Sequence, residues 1–132
     1  MVAVRIRQAA ELLGVSDDTV RRWIDSGTLE SRKDRSGRKV IDGPALAEFA
    51  RSHAAAPTDP IGIGSSARNR LTGLVTRVTS DTVMSQVEMQ CGPFTIVSLM
   101  STESVHELGL EPGSIAVAVV KATTVIVETP RP

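Results

Sequence analysis

An α+β fold in two parts is predicted from the period of the apolar residues, which changes once along the chain. Up to residue 53 they recur at helical spacing, and from residue 65 onward they alternate or run on, as in strands. Between these stretches, residues 53–65 hold Pro57, Pro60, Gly62 and Gly64 and keep no period, the composition of a connector. The expected organisation is a helical domain at residues 1–53, a linker at 54–64 and a β-rich domain at 65–129.

In the first part Ile6, Ala9, Ala10 and Leu13 make the stripe of a short amphipathic helix, which Gly14 ends. Ser16 is placed to cap a second helix. Asp17 and Asp18 sit in its first turn, where the helix dipole favours negative charge, and Val20, Trp23 and Ile24 form its buried stripe up to Gly27. Residues 29–41, centred on Ser36-Gly37, read as a basic hairpin. A third helix is expected from Asp42-Gly43-Pro44, burying Leu46, Phe49 and Ala50.

The second part reads as five strands: Leu71 to Thr79, Thr82 to Gln90, Phe94 to Leu99, Ile115 to Lys121 and Val125 to Glu128. A short helix fits Thr102 to Leu108, and Glu111-Pro112-Gly113 makes a turn. Several strands are apolar on both faces, as in Val83, Met84, Val87 and Met89. One face fills a small barrel, and the other calls for a partner subunit.

Composition narrows the function classes. Of the 132 residues 41% are apolar but only 2% are aromatic, so the cores are built from aliphatic side chains and oligomerisation is favoured. The net charge of zero hides a local excess: Arg32, Lys33, Arg35, Arg38 and Lys39 surround the single acid Asp34, a patch suited to a phosphate partner. Cys91 is the only cysteine, which excludes an intrachain disulfide and a thiolate zinc site within one chain, and it reads as a passive turn residue. No apolar run reaches membrane-spanning length and the first thirty residues do not form a leader, so a cytoplasmic protein with no membrane partner is expected. The spacing indicates no catalytic residues, neither a Ser/His/Asp set nor paired carboxylates, and no metal cluster. The expectation is therefore a protein that is not an enzyme.

Two short helices broken by Gly14-Val15-Ser16 form a helix-turn-helix pattern, whose second helix suits a DNA major groove. The buried stripe leaves Thr19, Arg21 and Arg22 exposed, and a guanidinium donates two parallel bonds to phosphate or guanine. Gln8 to Ser16, Thr19-Val-Arg-Arg-Trp23 and Gly27-Thr-Leu29 resemble the winged helix-turn-helix of MerR-type regulators and phage excisionases, over roughly residues 3–52. The resemblance implies that residues 29–41 are the wing. It implies a double-stranded DNA surface made of Ser16, Thr19, Arg21, Arg22, Arg32, Lys33, Arg35, Arg38 and Lys39. The coiled-coil helix that pairs full MerR regulators is absent from this sequence, so pairing must come from elsewhere.

A tetrahedral dianion is held by cations, hydroxyls and backbone N–H groups, and residues 66–122 contain such a set. Ser66 to Val75, Ser101 to Leu110 and Val120-Lys-Ala-Thr-Thr-Val125 resemble the Mop or TOBE domain of molybdate-binding proteins, over nearly all of residues 65–128. The resemblance implies a five-stranded OB-like β-barrel that associates into dimers or hexamers and takes molybdate or tungstate where subunits meet. It assigns the oxyanion to Ser66, Ala67, Arg68, Ser101, Ser104, Lys121 and Ala122, the two alanines acting through their backbones. Singly, these serines are ordinary caps and Lys121 a solvated residue; their joint order carries the assignment. His53 and His106 read as surface residues.

The function expected is a DNA-binding transcription regulator, a homo-oligomer through its C-terminal domain, with oxyanion binding coupled to operator binding. The alternative is an oxyanion storage or buffer protein whose helix-turn-helix serves only docking. Phe94 is the only aromatic of the second part, too little stacking surface for single-stranded nucleic acid.

Overall fold

In the computed structural model, which describes residues 2–130, the chain divides into two units between Ala55 and Ala56. The first unit contains three helices, α1 (Ile6–Leu13), α2 (Asp17–Asp25) and α3 (Gly43–His53). It also contains three short strands, β1 (Ala3–Arg5), β2 (Arg32–Lys33) and β3 (Lys39–Asp42), in the order β1-β3-β2. Strand β1 was not expected from the sequence. Three residues cannot display a period, and β1 exists only because Val4 and Arg5 pair with Ile41 and Val40.

The turn between α1 and α2 follows from its residues. Gly14 adopts the left-handed conformation, φ 70°, that other residues reach only at a cost, and Ser16 accepts a bond from the Thr19 N–H at 3.2 Å. Helix α2 thereby starts after a turn of only three residues, Gly14 to Ser16. The buried core is Val4, Ala9, Ala10, Val20, Leu29, Ile41, Leu46 and Phe49, with Trp23 tilted against Phe49 at 5.0 Å between ring centroids. Ala50, expected in this core, is half-buried, and His53 is exposed as expected while its ring stacks on Phe49 at 3.9 Å.

The second unit is a curled antiparallel sheet of β4 (Asn69–Ser80), β5 (Met84–Cys91), β6 (Phe94–Ser101) and β7 (Ile115–Val120), in the order β6-β5-β4-β7. A bulge between Val75 and Arg77 bends β4, and such a bend curls a sheet toward a half-barrel. Gly73 permits the tightest approach, because a side chain there would collide with the Gln90 carbonyl and the Cys91 sulfur. Helix α4 (Thr102–Leu108) starts at Ser101 and buries Val105 with Val75, Val87, Met89 and Cys91. Cys91 is thus a core residue whose thiol donates to the Leu71 carbonyl at 3.7 Å, not the passive turn residue expected from Gln90-Cys-Gly-Pro93.

Four of the five expected strands form. The fifth, Val125 to Glu128, does not: a single 3-10 turn at Ala122–Thr124 follows β7, and the residues after it stay unpaired and exposed. Both edges of the sheet, β6 and β7, are open, but the 3-10 turn interrupts the chain directly after β7 and the segment beyond it pairs with neither. Ile126 and Val127 are 84% and 88% exposed. Between β6 and β7 lies an apolar cavity of about 490 Å3 lined by residues such as Val87, Met89, Ile96, Met100, Leu110 and Val117. No helix among the described residues is long and apolar enough to cross a membrane.

Candidate functional site

In the second unit the antiparallel register fixes where the expected anion ligands lie. Asn69, the first residue of β4, pairs with Val120, the last of β7, and its side-chain amide donates to the Val120 carbonyl at 3.1 Å. Ser66, Ala67 and Arg68 just before β4, and Lys121 and Ala122 just after β7, therefore come together at one end of the sheet. Ser66, Arg68 and Lys121 are exposed there, and neither cation makes an ion pair among the described residues.

Ser101 and Ser104 lie at the other end. Ser101 pairs with Met84 at the start of β5, beyond the pair of Ser80 with Ser85 that ends β4. Ser101 caps α4 by accepting from the Ser104 N–H at 3.1 Å, and its hydroxyl donates to the Ser104 hydroxyl at 2.8 Å. Behind it a hydrogen-bonded line of hydroxyls, Ser80, Ser85 and Thr102, ends on the Asp81 carbonyl and holds the start of α4 to the β4–β5 turn. The Asp81 carboxylate accepts from the backbone N–H of Met84 and Val83, which lowers it below its ordinary value of 3.8.

One chain thus splits the expected donor set into two groups separated by the length of β4. Two cations and a hydroxyl stand at one end, two hydroxyls and a helix start at the other. A tetrahedral dianion fits the chemistry of the combined set, but its members meet only if one end of a sheet faces the opposite end of another copy's sheet.

In the first unit α2 presents Arg21 and Arg22 outward. Arg21 stands 3.5 Å from Asp18, an exposed i, i+3 pair, and Arg22 donates to the Thr19 hydroxyl at 3.1 Å, which is itself bonded to Ser16 at 2.9 Å. Ser16, Thr19 and Arg22 form one line of bonds that sets the Arg22 side chain along the helix. Exposed pairs of this kind are worth little and exchange readily for phosphate.

The wing is a hairpin whose tip is built by Asp34. Its carboxylate accepts from the Arg38 N–H, the Ser36 hydroxyl and the Ser36 N–H, with a smaller pull from Arg5, and is held below its ordinary value for those reasons. Gly37 at φ 81° closes the turn. Lys33, Arg35, Arg38 and Lys39 are exposed and make no ion pair among the described residues. Arg32 differs, since its guanidinium donates to Asp42 at 2.8 Å. The register sets Arg5 and Arg32 on either side of Val40, which is 3% exposed and outside the core cluster. Arg32 therefore serves the sheet as well as any partner. Arg5 is a basic neighbour of the wing that the sequence did not single out, because its strand was not visible there.

Helix-turn-helix, wing and curled half-barrel together define the class: a helix-turn-helix domain joined to a small antiparallel barrel. Residues 4–54 match a helix-turn-helix domain family and residues 65–127 the TOBE domain family. Molybdenum-pterin-binding protein 2 of Clostridium pasteurianum is 40% identical over 63 residues, which are 47% of this chain and 93% of that protein. The solved structure of a cytoplasmic molybdate-binding protein, ModG, with molybdate bound is 40% identical, with a TM-score of 0.51, and the match covers 58% of this chain and 55% of that one. A molybdate-binding protein from Sporomusa ovata is 33% identical over all of its own chain and 51% of this one, with a TM-score of 0.49. The chain belongs to the TOBE domain family, its barrel following a helix-turn-helix domain.

Proposed function

We propose that this protein is a cytoplasmic DNA-binding regulator that holds molybdate or tungstate between copies of its TOBE unit and changes its grip on double-stranded DNA when it does. The observation that carries the reading is the joining, in one chain, of a helix-turn-helix with an exposed basic wing to a barrel 40% identical to Molybdenum-pterin-binding protein 2. Ser66, Arg68 and Lys121 from one copy and Ser101 and Ser104 from another supply the donors, with Ala67 and Ala122 acting through their backbones. Arg68 and Lys121 together balance the two charges of the ion. Hydrogen bonds to charged groups are worth about 1.5–3 kcal/mol each, so a handful supports affinity on the order of micromolar once the ordering cost is met.

Copies are joined through the edges that one chain leaves open. An extended segment with Val125, Ile126 and Val127 exposed, in a chain whose apolar cavity lies between β6 and β7 with one edge of each strand open, fits an exchange of C-terminal strands between two copies. Each barrel then gains the fifth strand that its own chain does not provide. A pair of copies also supplies two DNA-binding heads, which a single helix-turn-helix needs to reach the roughly six to ten phosphate contacts of strong binders. The reading assigns it no catalysis.

Native mass spectrometry with and without molybdate, together with calorimetry, tests the anion reading by giving stoichiometry and heat at once. Arg68→Ala and Lys121→Ala are expected to remove molybdate binding and to leave DNA binding at low salt intact. Absence of heat with both molybdate and tungstate at millimolar levels would overturn the reading. Molybdate binding without any protection of the gene's own upstream DNA would turn it toward storage.

A further inference from the structure

Residues 54–68 contain no helix or strand, yet they are not a free tether. Asp59 accepts from the Arg70 guanidinium at 2.7 Å with one carboxylate oxygen and from the Ile61 N–H at 2.9 Å with the other. Arg70 is the second residue of β4, paired with Val119, so the connector is fixed to the sheet itself. Ile61 lines the cavity beside β7, and Pro57 and Thr58 line a second hollow with Thr72 and Gly73. The Arg70 side chain is 22% exposed and that of Asp59 35%, so the pair stands at the surface with its guanidinium partly covered. It closes a loop between residues eleven apart, and that loop contains Ser66, Ala67 and Arg68.

We propose that Asp59 and Arg70 form a latch through which filling of the anion site stiffens the connector that leads to the helix-turn-helix unit. The proposal rests on the anion reading above and goes beyond it by naming the coupling element. A loop closed at its ends and a loop ordered at its centre lose the same conformational freedom, so each event makes the other cheaper. An oxyanion that orders residues 66–68 thereby tightens the pair at 59 and 70, and a tight pair in turn raises anion affinity by the same factor. One terminal nitrogen of Arg70 is buried without a hydrogen-bond partner among the described residues, so the latch has a donor still to be used when the loop orders. Without the pair, fifteen irregular residues would behave as a flexible tether and transmit little from barrel to helix-turn-helix.

Hydrogen exchange on the full chain, read with and without molybdate, tests this. In the native chain molybdate is expected to slow exchange across residues 58–64 as well as 65–68. In Asp59→Ala the slowing across 58–64 is lost, that across 65–68 is kept, and molybdate affinity falls about fivefold, the lower end of common couplings. Asp59→Glu, which retains the charge and an acceptor, is expected to restore both. An Asp59→Ala chain with native protection across 58–64 and native affinity overturns the latch. So does a native chain protected at 65–68 but not at 58–64, a result that leaves the anion reading standing. A native chain with no heat and no protection anywhere overturns both.

Discussion

In the N-terminal unit three helices and a three-stranded sheet bury eight residues in one cluster, from Val4 to Phe49, and the chain completes that core alone. In the C-terminal unit a four-stranded sheet buries five, from Val75 to Val105, and leaves both edge strands open. Phe94, Val97 and Leu99 on β6, Ile115 and Val119 on β7, and Val125 to Val127 beyond it are all exposed. The second unit, residues 56–132, is the longer of the two, so size does not explain its smaller core. A helix satisfies its own backbone and needs only a stripe of neighbours, whereas a sheet that has not closed presents unpaired N–H and C=O groups and an apolar face together. The first unit is suited to act as a self-contained head and the second as the place where copies meet.

The comparison breaks most visibly at the C-terminal segment. Ile126→Lys is expected to convert the oligomer to monomer in native mass spectrometry and to lower the melting temperature of the barrel. Burying an aliphatic side chain of this size is worth about 1.5–3 kcal/mol, and a two-fold exchange loses it twice. The helix-turn-helix unit should melt unchanged. An oligomer that survives Ile126→Lys would show that the open edges are covered by something other than that strand.

The converse substitution acts on the other unit. Ile41 is fully buried between β1 and the helices, and Ile41→Ala is expected to cost about 2–5 kcal/mol, enough to unfold the N-terminal unit at or near room temperature. Calorimetry should show the first transition lost, with subunit number and molybdate binding retained. Loss of both together would mean that the two units do not fold independently.

Acid gives the smallest contrast. Asp59 and Asp81 in the second unit are lowered by bonds from Arg70 and from the Met84 and Val83 N–H groups, and Asp34 in the first by bonds from Arg38 and Ser36. A carboxyl lowered in the folded state contributes stability above its ordinary value, here 3.8, and that stability is lost as pH falls through the folded value. Melting temperatures followed from about pH 5 to about pH 2 should therefore fall in both units, and further in the second. Asp59→Asn should reduce that extra fall; an acid response unchanged by it would remove the Arg70 pair as a cause.

Much of this division is readable along the chain. Gly14 and Ser16 declare a helix end and a helix start two residues apart, and Thr19-Val-Arg-Arg-Trp23 lies within the second helix and supplies its outward basic residues. Strands β4 to β7 are visible in their runs of Val, Ile and Met. What stayed hidden depends on partners far apart in sequence. The β1 strand is too short to have a period, the Arg32–Asp42 pair joins residues ten apart, and the Asp59–Arg70 pair converts part of an apparent linker into an attached arm. Ser66, Arg68, Ser101 and Lys121 could each be named from the order of motifs. Their separation into two ends of one sheet could not, because it follows from strand direction and register.

Composition and period determined the two-part α+β character, the helix caps and the basic wing, since these depend on neighbours within a few positions, whereas the oxyanion residues followed only from the resemblance of three ordered motifs to the TOBE domain. Tertiary structure decided which edges stay open, which arginines are already engaged and which ligands share an end of the sheet. Those properties depend on pairing between distant strands, where a single step of register moves every side chain to the opposite face.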